Sequence, residues 1–270
     1  MKTLSNGIRP FVITRVAIIM LILIMFLPSQ MLFADAPCRE AANAAEERDN
    51  IFTLLAYAVV QKDWQDGDME HNRGYNIGSV LVDPNNKVVY WARNAVNITR
   101  NSTQHGEVRL MSCYLAAEKT KNLMGYMIYT TLEPCAMCSG MMTLTSIRRT
   151  VYGETDPSYG KAHERLELDS TKLSDGYPPY PRPVSSVPSV IETRCVLDSL
   201  YDKYKATHSD PYITDFLATD EVKKTYAAAF NRFMNYKIKY PENQAVLAQA
   251  QAFYKTVPTK HVPCCSEECP

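Results

Sequence analysis

Ile128-Tyr-Thr-Thr-Leu-Glu-Pro134-Cys135-Ala-Met-Cys138-Ser-Gly140 is the stretch on which the fold turns. Its first half, from Met127 to Leu132, is a short apolar run of the kind that forms a buried strand. Pro134 then removes a backbone donor where a helix start can spare one, so a helix is expected from Cys135 to Ser146. Two cysteines three apart on a first helical turn direct their sulfurs toward one point, and the positive end of the helix favours their thiolate forms.

Working outward, His105-Gly106-Glu107 opens a second expected helix that runs to Lys119. Before it, residues 77–82 and 87–92 flank Asp83-Pro84-Asn85-Asn86 and read as a hairpin. Earlier still, apolar positions from Ile51 to Val59 recur at helical spacing, giving an amphipathic helix over 41–60. Downstream come a short strand at 149–153, a weaker strand at 185–193 and a helix at 196–206. Helix, hairpin, helix, strand, helix, strand, strand, helix is the order of an α/β protein, a three-layer α/β/α sandwich around a mixed central sheet of about five strands.

Two segments stand outside this pattern. Residues 154–184, with Tyr-Pro-Pro-Tyr-Pro-Arg-Pro at 177–183, form an irregular insert, and residues 211–270 form a helical extension with a Cys-rich tail. The domain reading is therefore 37–210 for the catalytic core and 211–270 for the extension. The first 36 residues read as a secretory signal, with Lys2, Arg9 and Arg15 ahead of the apolar run Val16–Leu27 and small residues near Ala34 and Ala36. That run is short of the roughly 20 residues that span a bilayer, so no stable membrane span is expected after cleavage, and the location is secreted or periplasmic, with an uncleaved anchor as the alternative.

Basic and acidic residues balance at 29 each in a chain that is 46% hydrophobic. That composition excludes wholesale disorder and any global positive field able to gather a polyanion. Eight cysteines suit an oxidising compartment. Setting Cys135 and Cys138 aside leaves six whose pairing the spacing does not choose. Cys113, inside an apolar helical stretch, reads as a buried free thiol, and the tail cysteines 264, 265 and 269 as disulfide or incidental metal-binding material.

One histidine and two cysteines supply three borderline-to-soft donors suited to a single catalytic zinc, leaving the fourth tetrahedral position open. Glu107 lies two residues past His105, where it enters the same pocket without ligating and is free to move protons. H-x-E followed by P-C-x-x-C is the pattern of zinc deaminases that act on an exocyclic amino group of a base. A lone His or C-x-x-C outside the cytosol is more often structural, and it is the combination that points to chemistry. His71, His163, His208 and His261 have no ligand-like neighbours in sequence and read as surface residues. Tyr152, Tyr159, Tyr177 and Tyr180 are candidates to stack on a substrate ring, although packing is the commoner use.

On these motifs, residues from about 41 to 205 resemble the cytidine deaminase superfamily, on the branch that holds guanine deaminases, fungal cytosine deaminases and tRNA adenosine deaminases. The strand Asn76-Ile-Gly-Ser-Val-Leu-Val82 is similar to that branch's first strand. The resemblance implies a zinc held by His105, Cys135 and Cys138, a proton shuttle at Glu107, a substrate contact at Asn94 eleven residues before the histidine, and a homodimer. Gly106 is similar to the fungal cytosine enzymes, whereas Leu132-Glu133-Pro134 is closer to the guanine and tRNA enzymes. The expected partner is a small-molecule nucleobase or nucleoside of cytosine, adenine or guanine type, deaminated with release of ammonia. The alternatives are an exported polynucleotide-editing deaminase, with nucleic acid drawn to Arg148, Arg149, Lys161 and Arg165, and a catalytically silent zinc-stabilised binding protein.

Overall fold

The computed structural model describes residues 37–66 and 71–260, so the expected signal segment, His261 and the cysteines of the tail lie outside the described residues. Element by element, α1 (Ala44–Gln61) precedes the hairpin β1 (Gly78–Val82) and β2 (Val88–Arg93). Next come α2 (Gly106–Glu118), β3 (Met127–Thr130), α3 (Ala136–Leu144) and β4 (Arg149–Tyr152). The short α4 (Ala162–Leu166) lies in the insert, followed by β5 (Ser185–Pro188) and α5 (Glu192–Thr207). The extension supplies α6 (Ile213–Phe216), α7 (Asp220–Met234) and α8 (Gln244–Thr256).

The five strands form one sheet in the order β2-β1-β3-β4-β5. β1 runs antiparallel to both β2 and β3, while β3, β4 and β5 are parallel, so the sheet is mixed as expected. Alternation along the strands sorts side chains to two faces. Val80, Val82, Tyr129 and Val151 join the cluster built on α1. Leu81 and Ile128 join the opposite cluster with Leu110, Met111 and Tyr114 of α2 and Cys138 and Met142 of α3.

The first helix departs from its sequence reading. Every residue of α1 from Ile51 to Val60 is buried, so it is a central helix rather than an amphipathic one with a wet face. A helix apolar on all sides must be covered on all sides, and the extension covers it. Val222, Tyr226 and Phe233 of α7 and Leu247, Ala250 and Tyr254 of α8 lie in the same core cluster as α1. Polar anchors fix the cover. The buried Glu47 accepts from the Lys239 amide at 2.6 Å and from Asn243 Nδ2 at 2.8 Å. Gln249 bonds both the amide and the carbonyl of Val88 on edge strand β2, at 3.0 and 3.1 Å, which satisfies part of an otherwise open sheet edge.

A disulfide joins Cys38, ahead of α1, to Cys195 in α5. Cys113 is also disulfide-bonded, which corrects its reading as a free thiol. His163 is corrected too. It is buried in α4, neither ring nitrogen has a hydrogen-bond partner, and burial lowers its pKa to about 4. His71 and His208 are exposed as expected. No helix among the described residues is long and apolar enough to cross a membrane.

Two outcomes are expected from this packing. Phe233→Ala, at a fully buried position of α7, should cost about 3–5 kcal/mol in urea unfolding and leave a single transition, whereas a separate early transition would make the extension an independent unit. Glu154, just past β4, is fully buried, and neither carboxylate oxygen has a protein partner. Burial, then the neighbouring Asp198 and Asp156, raise its carboxyl well above the usual range. The folded state therefore holds this proton to higher pH than the unfolded chain, and the associated stability, full below about pH 4, declines as pH rises. Glu154→Gln should be more stable than the parent at pH 8 and indistinguishable from it near pH 4, and parallel stability curves would contradict this assignment.

Candidate active site

The site is assembled from the ends of regular elements. His105 is the residue immediately before α2 and Cys135 the residue immediately before α3, both with extended backbone and no side-chain cap bond. Their side chains are thus released from capping and turn to a common point. Cys138, one turn into α3, joins them.

His105 Nδ1 lies 3.7 Å from Cys135 Sγ and 3.6 Å from Cys138 Sγ, and the two sulfurs are 3.7 Å apart. Tetrahedral zinc with Zn–S of about 2.3 Å and Zn–N of about 2.0–2.1 Å sets sulfurs about 3.8 Å apart and sulfur to nitrogen about 3.6 Å apart. The three donors match those edges, and among the described residues they are the one His/Cys/Asp/Glu group so converged. Their chemistry fits zinc as well. A bond from the Cys138 thiol and another with His105 lower the Cys135 thiol to about 4, and the same bond to Cys135 raises Cys138. Burial pulls the His105 imidazole down, but its bond to Cys135 and the charges of Glu107 and Cys135 outweigh this and raise it overall.

Glu107 sits on the first turn of α2 with only 3% of its surface exposed. Thr130 Oγ1, on the last residue of β3, donates to Glu107 Oε1 at 2.9 Å, and Ser79 Oγ of β1 donates to Thr130 Oγ1 at 3.1 Å. Oε2 is left facing the donor cluster, 3.6 Å from Cys138 Sγ. Burial raises the Glu107 carboxyl above the usual range, partly offset by His105.

His105, Glu107 and Cys135 line a cavity of about 590 Å³. Asn94 does not line it. It is fully buried just past β2, its Oδ1 accepts from the Tyr75 and Val96 amides at 3.2 Å each, and its Nδ2 has no protein partner. Of the four tyrosines singled out, Tyr159 alone lines the cavity, and Tyr152 is buried on β4. Thr130 and the cavity residues Tyr201, Lys205 and Asp210–Thr214 escape sequence reasoning. Thr130 has a usable signal, since it ends the strand leading into Pro134-Cys135. The others carry none, because they lie many residues away from every motif.

The model of the cytidine and deoxycytidylate deaminase zinc-binding region matches residues 47–154. The tRNA-specific adenosine deaminase of Rickettsia bellii (strain RML369-C) is 32% identical over 97 residues, covering 36% of this chain and 67% of that protein. The chain belongs to the cytidine and deoxycytidylate deaminase family. The probable cytosine deaminase of Schizosaccharomyces pombe (strain 972 / ATCC 24843) is 33% identical over 107 residues, covering 40% of this chain and 60% of that protein. A solved structure from work on A-to-I editing by tRNA:A34 deaminases is 27% identical with a TM-score of 0.39, covering 50% of this chain and 95% of that one. Zinc is the family's metal, and the matched region contains all three donors and Glu107 of this deaminase.

Thr130→Val removes the one hydroxyl bonded to Glu107 but no zinc donor. A hydrogen bond to a charged group is worth about 1.5–3 kcal/mol, so kcat should fall roughly tenfold to a hundredfold. Zinc content by plasma mass spectrometry should stay at the parent value, and loss of metal would instead place Thr130 in the scaffold of the donor cluster.

Proposed function

We propose that the protein is a zinc-dependent hydrolytic deaminase of a monomeric amino-substituted nucleobase or nucleoside, and that it works in an oxidising compartment outside the cytosol. The observation that carries this reading is the buried Glu107 carboxylate, set beside three converged metal donors on the wall of a ligand-sized cavity. Zinc held by His105, Cys135 and Cys138 supplies the Lewis acidity that makes water a competent nucleophile near neutral pH.

The chain's own groups do the rest. Glu107 Oε1 is fixed by Thr130, so Oε2 takes the proton as water adds to the amino-bearing ring carbon. The raised carboxyl then holds that proton and returns it to the departing amine, and the carbon keeps the oxygen while ammonia leaves. Burial keeps bulk water from exchanging the proton between these steps. Asn94, the substrate contact that the family resemblance implies, has a buried Nδ2 with no protein partner and an Oδ1 held by two backbone bonds, but it does not line the cavity.

A small substrate is favoured over a strand. A cavity of about 590 Å³ falls among small-ligand sites of about 300–1,000 Å³. None of Arg148, Arg149, Lys161 and Arg165 lines it, and Arg149 is paired with Asp49 at 2.8 Å. The Cys38–Cys195 disulfide and the bonded Cys113 support export, since disulfides persist outside the reducing cytosol.

Ammonia release by the zinc-loaded protein against a panel of bases, nucleosides and short single strands tests the reading. Glu107→Gln should lower turnover on one monomeric substrate by about 10²–10⁴ while retaining zinc. Turnover confined to strands would favour the editing alternative, and full activity in the variant would remove Glu107 from the chemistry.

A further inference from the structure

Resting on the reading of Glu107 as the proton carrier, we infer that Ser79 is a positioning residue for the reaction, holding Glu107 through Thr130 from within the sheet. Alternation along the strands turns Ser79 and Leu81 of β1 and Ile128 and Thr130 of β3 to the face that α2 and α3 cover. Leu81 and Ile128 join the apolar cluster there, whereas the paired positions 79 and 130, beside Glu107, carry hydroxyls. Both side chains are fully buried. A buried hydroxyl costs stability unless it is bonded. Among the described residues Ser79 Oγ makes one bond, its 3.1 Å donation to Thr130 Oγ1, and Thr130 donates in turn to Glu107 Oε1 at 2.9 Å. The pair caps no helix and closes no turn, and its one terminus is the carboxylate.

Counting protons shows what Ser79 adds. A hydroxyl has one proton and two acceptor sites. An ionised carboxylate only accepts, so Thr130 spends its proton on Glu107 and its oxygen is left open to a donor from behind. Ser79 is that donor. Its proton blocks the rotation that would swing the Thr130 proton back toward β1, and bonds polarised in one direction strengthen one another. Oε1 is thereby the oxygen that is held, and Oε2 the one left 3.6 Å from Cys138 Sγ.

Close approach of helix and strand keeps this chain of bonds short. A methyl on Gly106, the first residue of α2, would come within 3.3 Å of Gly78 Cα and 3.4 Å of Ser79 Oγ. Glycine there lets the start of α2 settle on β1 beside the Ser79 hydroxyl, one residue before Glu107. Neither Ser79 nor Thr130 is among the residues that line the 590 Å³ cavity, and Ser79 makes no bond to Glu107 or to a metal donor. Its influence on the chemistry therefore runs through Thr130.

The test is a double-mutant cycle on the full zinc-loaded chain, read by two methods. In steady-state ammonia release from the base or nucleoside that the parent turns over, Ser79→Ala should lower kcat about threefold to tenfold, the worth of one neutral hydrogen bond, and leave KM and zinc content at the parent values. In the Thr130→Val background the same change should have no further effect, because the connection to Glu107 is already cut. The second readout needs no turnover. In infrared difference spectra, the carboxyl band that Glu107→Gln removes should shift in Thr130→Val and, by less and in the same direction, in Ser79→Ala. Losses in kcat that multiply across the cycle, a change in KM alone, or a Glu107 band unmoved by Ser79→Ala overturns the inference. The two readings fail separately. A shifted band in a parent that turns over no probe leaves the positioning role standing and removes the deaminase, whereas turnover by the parent with an unmoved band does the reverse.

Discussion

Three donors from two helices can meet within 4 Å only if both helices begin at the same place on the sheet, and the rest of the molecule is arranged around that requirement. His105 and Cys135 each occupy the last extended residue before a helix. Glu107 follows on the first turn of α2, and Thr130 closes β3. None of the four sits in the middle of a free loop. Their positions are set by strand register and helix start, which gives a tetrahedral centre the small positional tolerance it needs. The sheet supplies the rigidity, because β1 and β3 are paired side by side and carry Ser79 and Thr130 in register.

Burying Glu107 is the costly part of this arrangement. One hydroxyl and a nearby imidazole compensate a carboxylate that has left water, and the residual imbalance appears as a raised pKa. The same imbalance suits the proton-transfer role proposed for the group, since a carboxyl raised above its usual range holds a proton more readily than an exposed one. Glu154 shows the other case. It is equally buried, neither carboxylate oxygen has a hydrogen-bond partner, and it is not among the residues that line the 590 Å³ cavity.

The extension does two jobs at once. By covering α1 it completes the core that supports the sheet from behind, with Glu47 and Gln249 as polar anchors. On the way there the chain turns at residues 208–214, and that turn becomes a wall of the cavity. Fold support and one wall of the cavity therefore come from a single segment that lies beyond the family-matched region.

By itself the sequence determined the strand, turn and helix around Pro134, the helix behind His105, the hairpin, and that His105, Cys135 and Cys138 form a group able to hold a metal, with Glu107 beside it. Each of these rests on residues a few positions apart, where backbone geometry and helical or strand period decide the outcome. Only the tertiary structure decided that α1 is buried on every side, that His163 is buried in α4, that Cys113 is bonded, and that Tyr201, Lys205 and Asp210 line the same cavity as His105, Glu107 and Cys135. Those outcomes depend on contacts between segments tens to hundreds of residues apart, and packing at such distances is set by the closing of the whole core, which no local period records.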